Sequence, residues 1–272
     1  MMNPWLGITL VLAILAGVMT TLRWVNHRFA PHPEIVRKSL HLGMGLTTLT
    51  FPWLFDQSWP VLVLAGVTVP GLLLLRRSGR LKARLGGVID GVKRTESLGE
   101  IYFPLGVAGL FLLSSGDPLR YTSSILLLTL ADALAALIGI RYGQTFYPTS
   151  EGYKSIEGSL AFFTAAVISV LVSLHLFSDL ALVEVVLIAV VLSLLVMMVE
   201  AIAWRGLDNL LVPIVGFLLL DAFLNMTQGQ LIARLALTVG LITVAMLWRK
   251  PANLPDHALV PELTSYHFSR DA

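Results

Sequence analysis

Four ionisable side chains lie close together in a short stretch of the sequence that separates two long apolar runs. Asp132 and Arg141 belong to the run ADALAALIGIRYG, and Lys154 and Glu157 belong to the run KSIEGS, which follows a polar link. Charged groups are costly near hydrocarbon and usually have a function there. Since a lysine at the start of a helix can bind phosphate, the stretch indicates chemistry on a phosphate-containing reagent.

A stripe of small residues follows the first carboxylate of this stretch. Asp132, Ala136, Gly139 and Gly143 recur at helical spacing and therefore lie on one face of a helix. Small residues allow another backbone or a ligand to approach closely. Two interpretations follow: a slot beside an acid, or close helix packing in which Asp132 caps or pairs structurally.

The second run begins another predicted helix with Lys154, Ser155, Glu157 and Gly158. The first N–H groups of a helix and its positive dipole end favour phosphate. The run is not a P-loop, because Tyr153 separates the glycine from the lysine and the required earlier glycine is missing.

The amino-acid composition indicates whether these groups belong to a soluble protein or to a membrane protein. The chain has 272 residues, of which 56% are hydrophobic and 13% charged, and its mean hydropathy is +0.80. Soluble domains carry about 25% charged residues. The chain is therefore predicted to be an all-α, polytopic integral membrane protein, with one transmembrane catalytic domain over residues 1–248 and a short cytoplasmic tail over 249–272. Because cysteine is absent, thiol catalysis and disulfides are excluded.

The apolar segments predict nine transmembrane helices, since about 20 apolar residues span the hydrocarbon as a helix. They lie near residues 4–22, 39–55, 58–75, 99–115, 121–140, 157–177, 180–203, 209–227 and 230–248. We take the first segment as a retained span, because no Lys or Arg precedes it and no cleavage signal follows.

The distribution of positive charge predicts the orientation. With the N-terminus outside and the C-terminus in the cytoplasm, all of the 19 Lys and Arg residues except Arg120 and Arg234 fall on the inner side. The potentially functional polar residues then also face the cytoplasm. We expect a protein of the cytoplasmic (inner) membrane that uses a cytosolic reagent at its inner surface.

Four ordered motifs resemble those of the polyprenol kinase family, which includes dolichol, phytol and farnesol kinases. They are RKSLH at 37–41, DALAALIG at 132–139, KSIEGS at 154–159, and Glu200 followed by GLDNLLVP at 206–213. The resemblance implies transfer of the terminal phosphoryl group of a nucleoside triphosphate, CTP by similarity, to the hydroxyl of an isoprenoid alcohol. The expected partners are this alcohol, the nucleotide and membrane lipids, with no nucleic acid.

Such a reaction needs a divalent metal, cationic phosphate contacts and a group that accepts the hydroxyl proton. We expect Asp132 and Asp208 to hold Mg²⁺, with Asn209 nearby. The candidate base is His41 or Glu200, and Asp132 is counted as catalytic. The expected nucleotide and phosphate contacts are Arg37, Lys38, Arg141, Lys154, Ser155, Glu157 and Gly158, with Glu157 either orienting Lys154 or acting as an outer acid.

Two alternatives remain open. The central motifs also resemble phosphatidate cytidylyltransferases, but the residues after Glu200 fit the kinase pattern better. A membrane transporter would place acids midway through several spans, and only Asp221 is a candidate there. The sequence leaves open the identity of the alcohol, the choice among CTP, UTP and ATP, and the oligomeric state.

Overall fold

The computed structural model describes residues 3–77, 98–149 and 152–247. The predicted tail 249–272 lies outside the described residues, and so does nearly all of the stretch 76–98, which holds seven Lys and Arg residues in the sequence.

The described residues form a helical bundle with one short hairpin, so the predicted all-α class is confirmed. One of the helices is a single turn (Phe51–Leu54), and a π-helical turn at Leu127–Ala131 widens one of the long helices. In chain order the helices are α1 (Pro4–Phe29), α2 (Pro33–Leu49), α3 (Phe51–Leu54), α4 (Trp59–Arg77), α5 (Gly99–Ser114), α6 (Pro118–Tyr142), α7 (Ile156–Phe177), α8 (Leu182–Ile202), α9 (Asp208–Leu224) and α10 (Gln228–Leu247).

Each of the nine predicted apolar segments coincides with one of the long helices, but these differ in their fitness to span a membrane. Six are long and apolar enough to cross: α1, α4, α6, α7, α8 and α10. The other three, α2, α5 and α9, have 17, 16 and 17 residues. The count of nine spans and the orientation of the termini therefore stay predictions.

The helices α6 and α7 form the centre of the bundle. The helix α6 packs along α7 over its whole length and also contacts α2 and α9, while α8 packs against α7, α9 and α10. Leu127, Leu128, Phe162 and Leu192 are fully buried in this core. Apolar side chains on the outer faces of α1 and α10 are exposed instead, as expected for a surface that contacts lipid.

The contact between α6 and α7 explains the stripe of small residues. A Cβ atom on Gly158 would lie 2.8 Å from the Ala135 carbonyl oxygen, and one on Gly143 would lie 2.9 Å from the Ser155 Cβ. Both glycines are therefore required by close packing. Ala136, another residue of the stripe, lines the cavity described below. One part of the stripe therefore serves close packing, and another part forms a slot beside Asp132.

The polar link between α6 and α7 forms an antiparallel hairpin that the sequence does not predict. Strand β1 (Phe146–Thr149) pairs with β2 (Gly152–Ser155), with Tyr147 opposite Lys154. Strands of four residues are too short for an alternating pattern to show. The hairpin ends directly at α7, whose first turn is capped by the Ser155 hydroxyl, which accepts the Gly158 N–H at 3.0 Å.

Candidate active site

One cavity of about 650 Å³ joins residues from both halves of the chain. Its polar end lies between α2, α6, the hairpin and the turn before α9, and its walls there are formed by Arg37, Lys38, His41, Asp132, Lys154, Glu200, Asp208 and Asn209. Its apolar arm extends between α1, α2, α4 and α5, and is lined by residues that include Leu15, Met44, Phe51, Leu64, Ala65 and Val107. The volume lies within the range of small-molecule sites, about 300–1,000 Å³.

A buried cluster of Lys38, His41 and Asp132 forms the centre of the polar end. The Lys38 ammonium donates to both carboxylate oxygens of Asp132 at 2.7 Å. The His41 Nε2 lies 3.3 Å from the same carboxylate. Lys38 and Asp132 are each only 4% exposed, so water screens their attraction little and each charge depends on the other.

The π-helical turn places the backbone of α6 in contact with His41. The His41 Nε2 lies 2.9 Å from the Leu128 carbonyl oxygen. A carbonyl can only accept, so this contact places the proton of a neutral ring on Nε2 and leaves Nδ1 as the acceptor. The ring also meets Phe103 edge-on, with 5.0 Å between the centroids, which fixes its orientation. Wide turns of this kind are frequent at functional sites.

A second ion pair joins the hairpin to the end of α8. The Lys154 ammonium donates to a Glu200 carboxylate oxygen at 2.6 Å and also to the Glu200 backbone carbonyl. Burial lowers the pKa of Lys154, but the attraction of Glu200 outweighs this effect and the pKa is raised. Lys154 is therefore a permanent cation at the wall of the cavity.

The third polar group comes from the start of α9. The Asn209 side chain donates its N–H to the Gly99 carbonyl oxygen at 3.0 Å, and the Leu98 N–H donates to the Arg205 carbonyl oxygen at 2.9 Å. These bonds connect α5 to the turn before α9. The other side-chain atom, Asn209 Oδ1, is buried without a hydrogen-bond partner among the described residues. Asp208 lies beside it on the cavity wall.

Arg37 lies at the edge of the polar end and is about one third exposed (34%). Its guanidinium contacts Glu34 one turn earlier on α2, at 2.8 Å. The sequence interpretation missed Glu34, although its three-residue spacing from Arg37 is a recognisable helical pair. Glu100, to which the sequence assigned no role, also lines the cavity and lies 3.3 Å from Arg76.

Two predicted phosphate contacts lie away from the cavity wall. Arg141 is exposed near the end of α6, where its guanidinium lies over the Tyr142 ring at 5.5 Å. Glu157 accepts the Thr145 backbone N–H at 3.2 Å, whereas Lys154 pairs with Glu200. Neither Arg141 nor Glu157 is among the residues that line the cavity.

Two other predicted contacts, Ser155 and Gly158, do line the cavity, but part of the helix start is already engaged. Ser155 accepts the Gly158 N–H, and the Ile156 N–H donates to the Thr145 carbonyl oxygen at 2.8 Å. These bonds use two of the early N–H groups of α7. These two N–H groups are therefore not available to a ligand in this conformation.

The opposite end of the bundle holds a separate ion-pair group. Arg120 bridges Asp221 at 2.8 Å and Asp117 at 3.1 Å. Asp221, the acid that a transporter would require, thus has a partner and lies near the end of α9. This group does not contribute to the cavity.

Comparison with known proteins identifies the family. Among curated proteins, the phytol kinase of Synechocystis sp. is 31% identical to the chain over 215 residues, which cover 77% of this chain and 88% of the relative. No protein-family model and no solved structure matches significantly. The match to phytol kinase spans most of both sequences, and the chain therefore belongs to the polyprenol kinase family, the kinases of isoprenoid alcohols.

Proposed function

We propose that the protein transfers the terminal phosphoryl group of CTP to the hydroxyl of an isoprenoid alcohol at the cytoplasmic face of the membrane. The observation that carries this proposal is the cavity, in which a charged end is continuous with an apolar arm. A nucleoside triphosphate needs the first and an isoprenoid chain needs the second. The name of the curated relative, phytol kinase, indicates that this relative acts on an alcohol of this kind.

The transfer itself requires little covalent chemistry from the protein. The alcohol oxygen attacks the terminal phosphorus, the bond from that phosphorus to the bridging oxygen breaks, and the nucleoside diphosphate leaves. Catalysis then consists of positioning and of neutralising charge on the phosphate oxygens. Lys154 and Arg37 supply positive charge at the polar end for this purpose.

Two groups on the cavity wall are candidates for accepting the hydroxyl proton. His41 can accept it on Nδ1, since Nε2 faces the Leu128 carbonyl oxygen. Glu200 can accept it on the carboxylate oxygen that Lys154 does not contact. Both groups lie at the polar end, where the hydroxyl of an alcohol in the apolar arm would meet the nucleotide.

The residues at the start of α9 fit a magnesium ion. Asp208 and the unpartnered Asn209 Oδ1 are hard oxygen ligands, and Mg²⁺ is usually held by one or two carboxylates together with substrate phosphates and water. No group of three or more His, Asp or Glu side chains among the described residues could hold a metal without substrate. Asp132 fits this role less well, because Lys38 occupies both its oxygens. Bound Mg²⁺ would neutralise charge on the phosphates during transfer.

The proposal is tested with purified protein in detergent, Mg²⁺ and CTP labelled separately in the terminal phosphate and in the cytosine ring. Farnesol, phytol, a long polyprenol and phosphatidic acid serve as acceptors, and unlabelled ATP and UTP are tested as competitors. We expect the phosphate label to appear in an alcohol monophosphate. Ring label in a lipid would identify a cytidylyltransferase instead, and no transfer of either label would contradict both enzymes.

The metal assignment predicts a specific change in Mg²⁺ dependence. We expect Asp208→Asn to raise the Mg²⁺ concentration for half-maximal turnover by roughly 10–100-fold, the range found when groups supporting a metal site are altered. The matched control is Asp179→Asn, since Asp179 is an exposed acid outside the cavity. An unchanged Mg²⁺ dependence in Asp208→Asn would remove this residue from the metal site.

A further inference from the structure

The apolar arm follows one face of α2 away from the polar end. His41, Met44 and Thr48 line the cavity from one face of α2 at a spacing of three or four residues, and Phe51 continues this row from the start of α3. At 1.5 Å per residue, Thr48 lies about 10 Å along α2 from His41, and Phe51, three residues later at the start of α3, brings the depth to about 15 Å. The row therefore measures the depth of the arm from the reacting end.

The far end of this row is closed by packed aromatic rings. Phe51 contacts Phe55 and Phe111 with ring centroids 5.4 and 6.4 Å apart, and Phe111 meets Tyr121 at 5.5 Å. The Tyr121 hydroxyl donates to the Thr48 carbonyl oxygen at 3.0 Å. All four rings are at most 2% exposed. The floor of the arm is thus well packed and cannot yield easily to a longer ligand.

From this geometry we infer that the apolar arm is a chain-length ruler, in which Thr48 and Phe51 limit the acceptor to about three or four isoprene units. This inference rests on the proposed function. An isoprene unit has four main-chain carbons, and with bonds of about 1.5 Å it extends about 5 Å. The arm therefore has room for about three units beyond the end of the alcohol that carries the hydroxyl. A long polyprenol is longer than the arm.

The test compares Thr48→Leu with Thr50→Leu. Thr48 is buried on the cavity wall, whereas Thr50 undergoes the same chemical change two residues later at an exposed position outside the cavity. Initial rates are measured with geraniol, farnesol, phytol and a long polyprenol. We expect Thr48→Leu to lower kcat/KM for phytol relative to geraniol by about tenfold, since one or two misplaced carbons in an apolar pocket have effects of this order. Thr50→Leu should leave the ratio unchanged.

A second variant tests the same limit in the opposite direction. Phe51→Leu removes part of the floor, and we expect it to raise the rate with the long polyprenol relative to farnesol; thermal unfolding in detergent checks that the variant is folded. Equal use of all chain lengths by the unaltered protein, or ratios that neither variant changes, would overturn the ruler while the kinase activity stands. Failure to phosphorylate any alcohol would instead contradict the proposed function.

Discussion

Replacing Asp132 by Asn is expected to lower turnover by roughly 10²–10³, the loss typical of removing one electrostatic group from an active site. The substitution keeps the size of the side chain but removes the charge that faces the polar end of the cavity. It also leaves the Lys38 ammonium buried without its anion, and breaking a buried pair in this way costs about 3–5 kcal/mol. Turnover and thermal unfolding in detergent are measured together.

A double variant separates the chemical role of Asp132 from its structural role. Lys38→Met combined with Asp132→Asn removes both members of the buried pair, so the unfolding temperature should recover towards that of the unaltered protein. We expect turnover to stay low, because the carboxylate is still missing. If the double variant recovers turnover together with stability, Asp132 acts only through its ion pair and has no place in the reaction.

This buried cluster shows what a sequence can and cannot predict about a site. The motifs 37–41 and 132–139 predict that Lys38, His41 and Asp132 are functional, and all three line one cavity. Their pairing is not predicted, because Lys38 and Asp132 are 94 residues apart and meet only through the contact of α2 with α6. The contact of His41 with Leu128 is equally hidden, since it depends on a backbone carbonyl in the widened turn.

The fold was predictable where hydrophobicity dominates. Long apolar runs predict helices because a membrane leaves the backbone few other ways to satisfy its hydrogen bonds. Every predicted segment coincides with a helix, but α2 and α9 begin earlier or end earlier than their segments, since charged residues such as Arg37 belong to the helix itself. The apolar arm was not predictable, because residues that line it have the same composition as those that face lipid.

The positions of Lys154 and Arg141 show where the site predicted from the sequence and the site in the structure differ most. The sequence treats both cations as phosphate contacts, whereas the structure places Lys154 on the cavity wall and Arg141 over the Tyr142 ring at the exposed end of α6. Lys154→Ala is expected to lower kcat/KM for CTP by roughly 10²–10³, because it removes a fixed cation from the phosphate end. Arg141→Ala is expected to leave kcat/KM nearly unchanged. Steady-state rates with varied CTP measure both effects.

Stability must be controlled in this comparison, since Lys154→Ala leaves the Glu200 carboxylate without its cation. Lys154→Met combined with Glu200→Gln removes both charges, and it should restore the unfolding temperature without restoring kcat/KM for CTP. Because Glu200 is also a candidate base, its loss would lower kcat, whereas a raised KM for CTP would locate the nucleotide where the hairpin holds Lys154 against the end of α8. An equal loss in Arg141→Ala would instead move the phosphates to the Tyr142 end of α6, outside the cavity, and would contradict the site proposed for this kinase.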